Sequence, residues 1–134
     1  MKLIVAYIMT ALVFFPVDLL WLGVIAKDFY RNQYGDMIAF NLPAAFVFYF
    51  IYIVGIVFFA VAPAIEKQSL IHAVSYGAAF GFFCYATYNL TNLAVLKGFP
   101  AGAVVPDIIW GVVLTATSAG GGYLGYQLIS NLGR

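Results

Sequence analysis

Four long apolar stretches separated by short polar ones set the pattern of this chain, at about residues 3–26, 44–65, 70–96 and 106–129. Each reaches the roughly 20 residues that a helix rising about 1.5 Å per residue needs to cross about 30 Å of hydrocarbon. The stretches are apolar throughout, without the alternation of barrel strands, so the pattern predicts helices. The fold class expected is all-α: a polytopic membrane protein built as a four-transmembrane-helix bundle, with one integral membrane domain over residues 1–134. Lys2 gives the first stretch the look of a signal peptide, but its apolar run is too long and no small-x-small cleavage site ends it, so it is expected to remain.

The connections differ in character. Lys27 to Leu42 is the one extended polar stretch, and its Phe29, Tyr30, Gln33, Tyr34 and Met37 fall on one side if it is helical. Two readings stand for it: an interfacial amphipathic helix between the first two spans, with Tyr rings at headgroup level, or a Tyr-rich loop. Glu66-Lys67-Gln68-Ser69 reads as a tight turn between antiparallel helices. Gly98 is expected to end the third helix, and Pro106 to occupy the first helical position of the fourth. Small residues mark where helices approach closely: Ala73, Gly77 and Gly81 on the third span, and Gly111, Thr115 and Ala119, then Gly121 and Gly125, on the fourth. The run Gly120-Gly121-Gly122 is a place where the fourth helix could loosen.

Composition agrees with the pattern. The chain is 65% hydrophobic and 8% charged, with a mean hydropathy of +1.01, whereas about a quarter of residues are charged in soluble domains. Its first partner is therefore the lipid bilayer. A net charge of +1 and the lack of any Lys/Arg run exclude nucleic acid as a partner. Cys84 is alone, so no intrachain disulfide forms. Lys2, Lys67 and Arg134 on the side of the termini balance Lys27, Arg31 and Lys97 on the other, a tie under the positive-inside rule. We expect both termini in the cytoplasm.

Two fragments carry the candidate chemistry: Asp18-Leu-Leu-Trp21-Leu-Gly23 and Asp107-Ile-Ile-Trp110-Gly111. Both Trp residues of the chain stand three positions after one of its four Asp residues. An aspartate at the centre of a membrane helix costs about 2.5–3.5 kcal/mol on the insertion scale, so it is expected to face a cavity or a partner inside the bundle. By helical rise Asp18 is about 5 Å and Asn89 about 9 Å from the midpoints of their spans, with Asn92 and Asp107 nearer the headgroups of the same side. Tyr85, Tyr88, Asn89 and Asn92 share a face of the third helix; Tyr7, Phe14, Asp18 and Trp21 share one of the first; Tyr49 and Tyr52 stand ready to add a wall from the second. The structure expected is a one-ended polar cavity with aromatic walls, its ligand-binding candidates being Asp18, Trp21, Tyr85, Tyr88, Asn89, Asn92, Asp107 and Trp110.

Each residue has a plainer reading. Asp107 after Pro106 suits a helix cap, where free N–H groups and the helix dipole favour a carboxylate. Asn89 and Asn92 suit hydrogen bonds between helices, the Trp residues suit interfacial anchoring, and His72 is expected at the opposite interface. Pro16 removes a backbone hydrogen bond just before Asp18 and can kink the helix there. No metal-ligand spacing, Ser-His-Asp set, phosphate-binding Gly loop or haem signature is present, so no cofactor and no metal is expected.

With these motifs in view, the chain resembles a family of small bacterial membrane proteins known only as a domain of unknown function, DUF2177. The resemblance rests on Asp18-Leu-Leu-Trp21-Leu-Gly23, Lys27-Asp-Phe29-Tyr30, Tyr85-Ala-Thr87-Tyr88-Asn89-Leu90-Thr91-Asn92-Leu93, Lys97-Gly98 and Asp107-Ile-Ile-Trp110-Gly111. It implies a multi-pass protein of the bacterial inner membrane with four helices and no established activity. It also implies that many relatives carry Asp where this chain has Asn89; an amide does not titrate, which sets proton relay at that position in doubt.

Three classes of function follow. One is binding or transport of a small or amphipathic molecule, with Asp18 and Asp107 holding a cationic or hydroxyl group and aromatic residues enclosing the apolar part. Four short helices barely enclose a transport path, so transport would call for a homo-oligomer. The second is an intramembrane enzyme on a lipid or isoprenoid substrate, with Asp18 as the candidate catalytic acid or base and Tyr85, Tyr88 and Asn89 orienting the substrate. The third is a non-catalytic partner or assembly subunit of a membrane complex.

Overall fold

The structure is a computed structural model that describes residues 1–133; Arg134, counted among the charges above, lies outside them. Among the described residues it is helical with turns. Four helical segments are long and apolar enough to cross a membrane: Lys2–Ile25, Leu42–Lys67, Leu70–Val95 and Ala101–Leu132. The first consists of α1 (Lys2–Leu20) and a wider π-helical turn, Trp21–Ile25. The second joins α3 (Leu42–Ile56) to α4 (Ala62–Lys67) through another π turn, Val57–Val61. That turn stands directly ahead of Pro63, which has no N–H to offer the carbonyl one turn back. The third and fourth spans are the continuous helices α5 (Leu70–Val95) and α6 (Ala101–Leu132).

The polar stretch after the first span is helical. Lys27–Tyr34 forms α2, followed by a 3-10 turn at Gly35–Met37, so the amphipathic-helix reading holds over the loop. Its aromatic side is turned onto the end of the bundle: Tyr34 meets Phe99 edge-on at 5.8 Å, and Gln33 lies against Gly102 near the start of α6. The turn between α4 and α5 also forms as read. Gln68 takes the left-handed conformation that ends α4, and the Ser69 hydroxyl accepts from the His72 N–H at 3.2 Å to cap α5.

The start of the fourth span differs from expectation. The helix begins at Ala101, with Pro100 as its N-cap, and Pro106 lies inside it. Pro100 has φ −74°, already close to the helical value, and its carbonyl accepts from Ala103 N–H at 3.1 Å, so the chain turns five residues earlier than Pro106 alone suggests. Asp107 is consequently an interior helical residue and not a cap. The third span likewise ends at Val95, with Gly98 at φ +82° in the turn beyond it.

Helix α6 is the centre of the bundle, packed along α5 on one side and α1 on another. Glycines make both contacts close. A Cβ on Gly77 would stand 2.7 Å from that of Ala119, and one on Gly81 would run into the Gly111 carbonyl and the Thr115 side chain. On the α1 side Gly121 faces Val13 and Gly125 faces Met9. The Gly120–Gly122 run therefore packs within an unbroken helix and does not loosen it. The second span is closed at one end and open at the other: Val57–Val61 and α4 pack on α5, whereas the backbone of α3 stands off from it. Rings fill part of that gap, with Tyr52 stacked on Phe80 at 5.4 Å.

Candidate functional site

The three-residue spacing within each Asp-Trp fragment puts both side chains on one face of its helix. In the folded chain the two fragments exchange partners. Asp18 of α1, 5% exposed, accepts from the Trp110 indole N–H at 3.3 Å through Oδ1 and from the Tyr49 hydroxyl at 3.0 Å through Oδ2. Asp107 of α6, 9% exposed, accepts from the Tyr30 hydroxyl at 2.6 Å through Oδ1 and from Asn89 Nδ2 at 2.6 Å through Oδ2. The Trp21 indole N–H completes the exchange by donating to the Tyr30 oxygen at 3.2 Å. The indoles of Trp21 and Trp110 lie face to face, 4.3 Å apart and 7° from parallel. Every carboxylate oxygen thus has a donor, which is what allows two acids to sit inside an apolar bundle.

Helix α2 supplies the residue that ties the network together. Tyr30 accepts from Trp21 and donates to Asp107, so its single proton has a fixed direction. Burial and the neighbouring Asp107 carboxylate both push the Tyr30 hydroxyl far above the ordinary phenol value. Burial first, then Tyr88 and Asp107, push Tyr34 up to about 12. Both phenols therefore stay protonated at neutral pH, and Tyr30 acts as a donor.

Asn89 is fully buried and donates from Nδ2 to both Asp107 and the Tyr85 carbonyl, the latter at 2.9 Å. Its Oδ1 has no partner among the described residues. Tyr52 shares a 2.7 Å hydrogen bond with Thr115 of α6 and so forms the expected wall one layer deeper. Tyr85 lays its ring over Gly111, where no side chain would fit. Among the described residues Asn92 makes no side-chain hydrogen bond; it stands outside the network, as does Tyr88, which is half exposed.

Two cavities meet at Asp107. One, of about 640 Å³, lies beneath α2 and is lined by Lys27, Tyr30, Arg31 and Tyr34, with Leu22, Met37, Ile38 and Phe40 on its apolar side. The other, of about 330 Å³, occupies the gap between α3 and α5 and is lined by Phe48, Tyr52, Cys84, Tyr85 and Tyr88. Asp107 and Tyr88 line both. Asp18 lines neither, its carboxylate being held by Trp110 and Tyr49.

The fold brings together Asp18, Trp21, Asn89, Asp107 and Trp110, all expected at one site from the sequence. Tyr30 joins their network, and Lys27, Arg31 and Cys84 line the adjoining cavities, with no such place expected for them from the sequence. The signal for Tyr30 was its four-residue spacing from Tyr34 on an amphipathic segment only nine residues after Trp21.

Fold and network together define a helical membrane protein of four apolar spans with two hydrogen-bonded aspartates in one half of its bundle. The chain belongs to the DUF2177 family, whose description, "Predicted membrane protein", matches residues 3–124. No curated protein and no solved structure matches it.

The stacked indoles give the network a spectroscopic signature, because Trp21 and Trp110 are the only two tryptophans of the chain. Parallel rings this close couple their transitions, so the circular dichroism of the protein in detergent should carry a paired exciton band in the indole absorption. Trp21→Phe and Trp110→Phe should each remove it completely, not by half. A band that falls by half in each variant would mean that the rings do not stack.

Proposed function

We propose that the protein binds an amphipathic membrane molecule, its polar end at Asp107 and its apolar part in the gap between α3 and α5. The observation that carries this reading is that Asp107 and Tyr88 line both cavities, one of which sets Lys27, Arg31 and Tyr30 beside apolar residues while the other is almost wholly apolar and aromatic. An amphiphile has the same division. The apolar cavity adjoins exposed Phe48 and half-exposed Tyr88 on the outer face of the bundle, so a chain lying in the bilayer reaches it sideways between the helices. Asp107 offers the polar end an acceptor already oriented by Tyr30 and Asn89. Asp18 in this reading holds Trp110 and Tyr49 in place, and ligand contact passes to Asp107.

Mass spectrometry of protein purified in mild detergent tests the proposal. One amphiphile class should be retained at about one molecule per chain and enriched over its share of the membrane extract. A retained population with the same composition as the bulk lipid would refute specific binding.

A further inference from the structure

We infer that the molecule bound at this site is a phospholipid whose phosphate is held by Lys27 and Arg31 and whose headgroup hydroxyl donates to Asp107. The inference rests on the binding site proposed above and names its ligand class. Lys27 and Arg31 are four residues apart, one turn along α2, and both line the larger cavity. Both are exposed, and among the described residues neither forms an ion pair. Asp28 and Asp36, the acids of the same segment, do not line that cavity. Its rim is therefore cationic while its floor, at Asp107, is a carboxylate. A phosphate is repelled by the floor and attracted by the rim, where an ammonium and a guanidinium give charge-assisted hydrogen bonds. A hydroxyl placed beyond the phosphate reaches the floor as a donor.

The apolar lining continues the match. Leu22, Met37, Ile38 and Phe40 share the cavity with the two cations, and the gap between α3 and α5 leads on from Asp107. A headgroup alone fills only the first part of such a site. Phosphate, headgroup hydroxyl and acyl chain together account for cation, carboxylate and aromatic gap, whereas a free phosphate compound leaves the gap empty. At about 640 Å³ the cavity beneath α2 lies in the range that holds a small organic group.

Isothermal titration calorimetry reads occupancy directly. Purified protein in detergent is titrated with dioctanoyl phosphatidylglycerol, with dioctanoylglycerol, which has chains and a hydroxyl but no phosphate, and with glycerol 3-phosphate, which has no chains. Phosphatidylglycerol should bind about tenfold or more tighter than either, as expected for charge-assisted contacts to two cations. Lys27→Gln with Arg31→Gln should lower that affinity to the level of dioctanoylglycerol and leave dioctanoylglycerol binding unchanged.

Equal affinity of the wild type for the two chain-bearing lipids, or an unchanged phosphatidylglycerol affinity in the double variant, would overturn the phosphate assignment while leaving the amphiphile site standing. Tight binding of glycerol 3-phosphate would overturn it in favour of a water-soluble phosphate compound. Absence of binding by both chain-bearing lipids would sink the amphiphile site itself, and this inference with it.

Discussion

Gly81→Leu and Gly111→Val are each expected to cost the protein its bundle. A side chain at Gly81 has no space to enter, because it would meet the Gly111 carbonyl and the Thr115 side chain of α6. One at Gly111 meets the Tyr85 ring of α5. In a membrane the helices gain little from apolar burial, so their association depends on close backbone approach and interhelical hydrogen bonds. Separating α5 from α6 removes the first and strains the second, since Asn89 and Asp107 belong to these two helices. Overpacking costs about 1–3 kcal/mol where side chains can yield, and here the obstacle includes backbone, so the upper end of that range or more is expected. The measurement is the fraction of protein that remains monodisperse in detergent after a heating series. Gly23→Ala is the control: a Cβ there meets nothing within 4 Å, and its melting profile should match the wild type.

The second large effect is on binding. Asp107→Asn should remove the retained amphiphile, lowering affinity by about tenfold to a hundredfold, the range expected when a hydrogen bond to a charged group is lost. The fold should survive. Tyr30 can still donate to the new amide oxygen, and rotation of the Asn89 amide would bring its unpartnered Oδ1 towards the new NH₂ group. The exchange therefore removes charge and keeps Tyr30 and Asn89 paired at the cost of the Asn89 Nδ2 bond to the Tyr85 carbonyl, in contrast to Asp107→Leu, which strands both Tyr30 and Asn89. Comparing the lipid retained by Asp107→Asn with its melting profile separates loss of ligand from loss of structure. Asp18→Asn, by the same reasoning, should weaken retention less, because Asp18 lines neither cavity.

Much of this architecture is legible in the chain because membrane helices obey few rules and obey them strictly. Apolar length alone locates four spans to within a few residues at most ends. Paired Asp and Trp at a fixed offset forecast a shared site, since an acid in hydrocarbon must find donors and an indole N–H must find an acceptor. What spacing along one helix does not contain is the register between helices. Nothing in either fragment says that Trp110 serves Asp18 while Trp21 reaches Asp107 only through Tyr30.

Prolines misled for a related reason. Pro106 satisfies the rule for a first helical position, but Pro100 satisfies the requirement for a cap one and a half turns earlier, and the apolar residues between them are compatible with helix. Once Asp107 moves inside the helix, its carboxylate can no longer be explained by free N–H groups at a terminus. The role of α2 was hidden by its composition. A short segment with charged and aromatic residues reads as a membrane-surface helix, and only the docking of Tyr34 on Phe99 and Gln33 on Gly102 turns it into the roof of a cavity.

The claim on which the account turns is that an acyl chain enters the gap between α3 and α5, and photo-cross-linking maps this directly. Purified protein is reconstituted with a phospholipid carrying a diazirine along its acyl chain, irradiated and digested, and the labelled residues are located by mass spectrometry. Labelling concentrated on Phe48, Cys84 and Tyr88, and lost in Asp107→Asn, is the predicted result. Labels spread evenly over the outward phenylalanines Phe46, Phe50, Phe58 and Phe83, with none enriched at Cys84 and no change in the variant, would contradict it.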